Sequence, residues 1–183
     1  MKNFKIIKEP TKSLRERSIP ITFPLDPKLE NTLKDMLDYL KCSQDEEFLK
    51  NHKSIRSGVG IAAPQIGINK QMIALFYKDE NDIEHEFMFI NPQIISESVK
   101  QCYLKGGEGC LSVINEHQGN IYRAYKVIIR AFDLSKNAMT EHVFVGYGAI
   151  IVQHEIDHLK GILFYDHINK TNPFIEKDGA IAI

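Results

Sequence analysis

The segment Ala149-Ile-Ile-Val-Gln-His154-Glu155-Ile-Asp-His158 constrains this chain more than any other. The apolar run Ala149 to Val152, followed by polar residues at helical spacing, predicts a buried helix from about Tyr147 to Leu159. Residues four apart on a helix share a face, so the imidazoles of His154 and His158 point the same way. Buried polar groups without partners are costly, so a His-Glu-His face inside a fold needs something to bind. Two imidazoles at this spacing can hold one metal ion, with the Glu between them in reach of a water on it. A surface helix would be the plain alternative, but the apolar run before His154 argues against it.

A catalytic site of this kind usually has three protein ligands and an open position. In one protease pattern a third His follows Gly161, but Phe164 stands at that position and cannot ligate. Glu176 is the only Glu after Glu155 and falls in a loosely patterned tail. His167 lies off the ligand face and reads as an ordinary polar residue near a helix end. The stretch Gly106-Gly-Glu108-Gly109-Cys110-Leu111-Ser112 offers a better ligand, because its glycines permit close backbone approach and a thiolate suits a borderline metal. Taken alone, it is as readily a turn with a buried thiol; beside the helix, Cys110 supplies the missing ligand. Cys42, Cys102 and Cys110 are too few, and odd in number, for a disulfide framework.

A third segment, Ser57-Gly58-Val-Gly60-Ile61-Ala-Ala-Pro-Gln65, lacks the Gly-Lys-Ser/Thr ending of a phosphate-binding loop and the third Gly of a dinucleotide fingerprint. It reads as a tight loop from Ser57 to Gly67, or as backbone groups and a Gln65 amide offered to a substrate.

Around these segments the chain is ordinary. Its 183 residues, 43% apolar and 26% charged, suit one domain spanning 1–183 with a substantial core. A net charge of −1 without a long Lys/Arg run argues against direct nucleic-acid binding. No apolar stretch approaches a membrane span and the start lacks a secretory pattern, so the expected location is cytoplasmic. Asp26-Pro27 opens an amphipathic helix to about Lys41, and Ser43 to Glu46 has a capping-box pattern for a second, short one. Strand-like runs at 71–77 and 85–90 flank a turn, Pro92 interrupts before 93–99, and 122–132 and 140–145 flank a second turn. The chain looks loose from about Asn172. The expected fold is α+β, with mixed and antiparallel sheets packed around a central metal-binding helix.

Together, Gly58 to Gln65, Glu108 to Ser112 and Gln153 to Leu159 resemble the three ordered motifs of the peptide deformylase family, Gly-x-Gly-x-Ala-Ala-x-Gln, Glu-Gly-Cys-Leu-Ser and Gln-His-Glu-x-Asp-His-Leu. The length and the region from Ser43 to Ser57 resemble the longer subclass of Gram-positive bacteria. The resemblance implies one divalent ion, Fe2+ by preference with Ni2+, Co2+ or less actively Zn2+ in its place, held by Cys110, His154 and His158. It implies Glu155 as general base and then acid, Gln65 and the Leu111 backbone N–H as oxyanion donors, and Glu108 paired with Arg123 behind the Cys110 loop. Gly58, Gly60 and Gly109 would meet the substrate backbone, and Ile61, Tyr147, Ile150 and Ile151 would wall a methionine pocket or serve simply as core. The implied partners are N-formyl-methionyl nascent peptides and the ribosome, with formate as product. The usual Val-Pro-Arg before the later strand is Ile121-Tyr122-Arg123 here, and Ile114 to Asn120 departs from the family pattern. Two other classes compete: a metallopeptidase, disfavoured by the missing third His, and a metal-stabilised binding module, which leaves Glu155 and Gln65 unexplained.

Overall fold

The computed structural model describes residues 4–183. In chain order its elements are α1 (Pro27–Ser43), α2 (Glu46–Asn51), β1 (Gly60–Ala62), β2 (Met72–Lys78), β3 (Glu84–Glu97), β4 (Gln101–Tyr103), β5 (Arg123–Ala124), β6 (Lys126–Asp133), β7 (Ala138–Val145), α3 (Tyr147–Leu159) and β8 (Ile181–Ala182), with short 3-10 turns between some of them. The larger sheet is antiparallel in the order β1-β2-β3-β6-β7. The smaller is mixed: β4 pairs antiparallel with β5 and parallel with β8. The fold is α+β, as the pattern of elements predicts.

Side-chain alternation along β2 explains how the larger sheet is covered on both faces. Met72 and Ala74 point into a core with Leu33, Met36, Leu37 and Leu40 of α1. Ile73, Leu75 and Tyr77 point the other way, into a core with Ala149, Ile151, Val152 and Ile156 of α3. A strand buried on both sides reads as a near-continuous apolar run, which is what 72–77 shows. From Gly148 to Leu159, α3 is buried throughout, so this helix is enclosed by the fold rather than laid upon it.

Several boundaries differ from the sequence reading. The Asp26 side chain caps α1 by accepting from Lys28 N at 2.8 Å, as predicted, but the helix runs on through Ser43. Ser43 is buried and donates to Leu40 O at 2.8 Å, so it cannot cap α2; Asp45 does, accepting from Phe48 N at 2.9 Å. The segment 57–67 is not all loop, since Gly60–Ala62 pair with Ile73–Leu75 as an edge strand. Pro92 does not end its strand either. It sits at a register shift within β3, next to Asn91 at φ 51°, whose side chain bonds Ile21 N at 2.8 Å and Ile21 O at 2.7 Å. The tail closes back on the fold through β8 and β4, both too short to show a period in the sequence.

Candidate metal centre

Two of the candidate ligands, His154 and His158, sit on the buried helix α3, and a loop brings the third, Cys110, to them. The ligand atoms of Cys110, His154 and His158 all lie within 4.8 Å of one another, and all three residues are buried. Cys110 Sγ is 3.3 Å from His158 Nε2. The Cys110 loop is stitched down by its neighbours: Ser112 N donates to Cys110 Sγ at 3.4 Å, Glu9 N to Ser112 O at 3.0 Å, and Arg56 to Val113 O at 2.9 Å. The Lys8 ammonium donates to Leu111 O.

His154 Nδ1 lies 2.8 Å from Glu108 Oε2, which leaves its Nε2 for the site. Glu108 in turn accepts from Arg123, through Nε on one oxygen and through Nη2 at 2.9 Å on the other. The Glu108–Arg123 pairing expected from the motifs is therefore present. Burial alone would raise the Glu108 pKa, but the hydrogen bonds from His154 and Arg123 outweigh it and hold the carboxyl below its ordinary range. Burial likewise disfavours a charge on Arg123, and the two carboxylates beside it, Glu108 and Asp157, more than reverse that.

Glu155 points to the same space. Burial pushes its pKa up to about 7, against the opposing influence of His154 and Arg123. Its Oε2 and the Nδ1 of His158 are buried without a hydrogen-bond partner among the described residues. Three convergent soft and borderline donors, with an unpartnered carboxylate oxygen alongside, fit one divalent cation and what it binds. Gln65 is fully buried: Ala62 N donates to its Oε1 at 2.8 Å, which turns its Nε2 toward Ser112 Oγ at 3.2 Å and Cys110 Sγ at 3.5 Å.

A cavity of about 250 Å³ opens over these groups. Gly58, Gly60, Gln65, Gly109 and Leu111 line it on the loop side, and Tyr147, Ile150 and Ile151 on the α3 side. Ile61 does not line it. Alternation along β1 sends Gly60 and Ala62 toward α3 and Ile61 toward α1, where it is fully buried against Leu33 and Met36. Val59, in the bend before β1, lines the cavity instead, together with Arg56 and Leu104. Val59 lies just before β1, and strand alternation extended back from Ile61 would have turned it the other way, so nothing in the sequence singles out Val59, Arg56 or Leu104.

His167 is also more than an ordinary polar residue near a helix end. Its Nε2 lies 2.7 Å from Asp157 Oδ2, and the same oxygen accepts from Arg123 Nη1 at 2.9 Å. Neither Asp157 nor His167 lies among the three converging ligands.

The family model described as polypeptide deformylase matches residues 3–174. The chain belongs to the polypeptide deformylase family. A peptide deformylase of Listeria monocytogenes is 46% identical over 168 residues, 92% of this chain and 91% of the relative. Peptide deformylase 2 of Geobacillus stearothermophilus is 43% identical over 178 residues, 97% of this chain and 96% of that one. Among solved structures, a Met-Ala-Ser-bound class I type b peptide deformylase from Acinetobacter baumannii superposes with a TM-score of 0.70 at 32% identity, covering 90% of this chain and 98% of that one. A plant peptide deformylase superposes at 0.73 and 29% identity, covering 92% and 82%. Deformylases of Gram-positive bacteria stand among these relatives, in keeping with the longer-subclass reading.

Proposed function

We propose that this chain is a metal-dependent peptide deformylase that hydrolyses the N-formyl group of formyl-methionyl chains, with Glu155 as its proton-transfer group. The observation that carries the reading is the convergence of Cys110, His154 and His158 beside a buried Glu155 whose Oε2 has no hydrogen-bond partner among the described residues. Cys110, His154 and His158 would hold a divalent ion, which when bound would supply a water activated at neutral pH and a Lewis acid for the formyl carbonyl. The thiolate and two imidazoles suit a borderline cation, and we read the resident ion as Fe2+, with Ni2+, Co2+ or Zn2+ able to substitute.

The chain's own residues do the rest. Glu155, whose carboxyl pKa is pushed up to about 7 by burial, accepts the proton of the attacking water and delivers it to the departing amine. Gln65 Nε2 and the Leu111 N–H donate to the carbonyl oxygen as negative charge grows on it, each contributing on the order of 3 kcal/mol. Main-chain groups around Gly58, Gly60 and Gly109 align the substrate backbone. Tyr147, Ile150 and Ile151 receive the methionine side chain, and Val59 joins them. Formate and a free α-amino group leave.

The physiological substrates on this reading are nascent chains at the ribosome, met in the cytoplasm, with 1–183 acting as one catalytic domain. Among the described residues no helix is long and apolar enough to cross a membrane. Incubation of the iron- or nickel-loaded protein with a formyl-methionyl tripeptide tests the proposal. Formate and free amine should appear in equal amounts. Metal-loaded protein that releases no formate above background would refute it.

A further inference from the structure

We infer that His167 is a positioning residue for the metal centre, acting through Asp157 and Arg123 on Glu108 and so on the imidazole of His154. The inference rests on the metal reading above. Four hydrogen-bonded links connect the two histidines: His167 Nε2 to Asp157 Oδ2 at 2.7 Å, Asp157 Oδ2 to Arg123 Nη1 at 2.9 Å, Arg123 Nη2 to Glu108 Oε2 at 2.9 Å, and Glu108 Oε2 to His154 Nδ1 at 2.8 Å. The side chains of Arg123 and Glu108 are 4% exposed, that of Asp157 12% and that of His167 37%, so the chain runs from the surface to a buried ligand.

Its charges explain why the outer end matters. Glu108 and Asp157 share one guanidinium, and in a poorly solvated interior the two carboxylates compete for it. A donor on the outer side of Asp157 satisfies that carboxylate and weakens its pull on Arg123. Arg123 then keeps its two-pronged grip on Glu108, and Glu108 keeps the His154 ring turned with Nε2 toward Cys110. His167 can do this because the 3-10 turn Phe164–His167 returns directly beneath α3 and brings the ring back to Asp157. A competing explanation is that the His167–Asp157 bond only pins that turn to the helix; it predicts a loss of stability with no change in metal affinity.

Cobalt(II) separates the two. The full-length protein, loaded anaerobically with cobalt(II), is titrated with a chelator while occupancy is read from the visible d–d bands and the thiolate-to-cobalt charge-transfer band. His167→Ala should weaken cobalt affinity by roughly 3–10-fold, less than the 10–100-fold typical of a direct partner of a ligand. His167→Gln, whose amide can donate to Asp157, should return it to within about 2-fold of the parent. Asp157→Asn should weaken binding at least as much as His167→Ala, and combining the two should add nothing further. Unchanged affinity in His167→Ala, equal losses in the Ala and Gln variants, or additive losses in the double variant would each overturn the inference. A parent protein that binds no cobalt would overturn the metal reading and this inference with it, whereas normal parent binding with indifferent variants overturns the inference alone.

Discussion

Gly60 and the side chain of Glu155 occupy adjoining space: a methyl group on Gly60 would come within 2.8 Å of Glu155 Cγ and Cδ. The absence of a side chain at this one strand position lets β1 close against α3 and sets where the carboxylate lies. Gly60→Ala should therefore displace the carboxylate and lower kcat for deformylation by more than about 10-fold, since proton transfer depends on reach. Metal content should stay at the parent level. Formate release per bound metal, measured for both proteins, checks this, and an unchanged kcat would mean that Glu155 tolerates the shift.

Removing the proton-transfer function without the volume gives a cleaner comparison. Glu155→Gln should keep its metal and lose about 10²–10⁴-fold in turnover, the range for a positioned acid–base group. Retained turnover would assign the proton to another group.

Metal removal should be visible as stability. An ion that binds only the folded chain adds about 2.7 kcal/mol when present at 100 times its Kd. For a chain of this length that corresponds to a Tm lower by roughly 5–10 °C after chelation. Cys110→Ala should melt at the same temperature with and without added metal, because among the described residues its thiol is one of the three groups that converge as candidate ligands. Scanning calorimetry of both proteins in the two conditions decides it.

Gly161 ends α3 under a separate constraint. It sits at φ +74°, and a methyl group there would come within 2.6 Å of the carbonyl carbon of Arg15. Gly161→Ala combines a disfavoured backbone region with overpacking against main chain, and should cost about 2–4 kcal/mol. The urea midpoint should fall with an unchanged m-value. A midpoint within error of the parent would show that residues 15 and 161 separate freely.

What the sequence made legible follows the range over which each signal acts. The span of α3 and the cap at Asp26 are local, carried by spacing and by one polar side chain before Pro27, and both appear as read. The convergence of Cys110, His154 and His158 was legible because two imidazoles one helical turn apart call for a further donor and only one cysteine follows a glycine-rich stretch. Ile61 was misplaced because the segment carrying it was read as loop; once Gly60–Ala62 is a strand, alternation turns Ile61 away from the cavity. Asp157 and His167 were missed for a different reason. Their contacts, Asp157 with Arg123 of β5 and His167 back onto Asp157, form through the tertiary fold, and no local pattern reports them. The same holds for β4 and β8, each too short to carry a period, which meet only when the chain's two distant stretches do.

The central claim is that one divalent ion is held jointly by the Cys110 thiolate and the imidazoles of His154 and His158. Anomalous diffraction from crystals of the nickel-loaded protein, collected on both sides of the nickel edge, tests it most directly. The account predicts one strong difference peak, bonded to Cys110 Sγ and to Nε2 of both histidines. A peak bonded elsewhere, or one from which Cys110 Sγ is turned away, would contradict it.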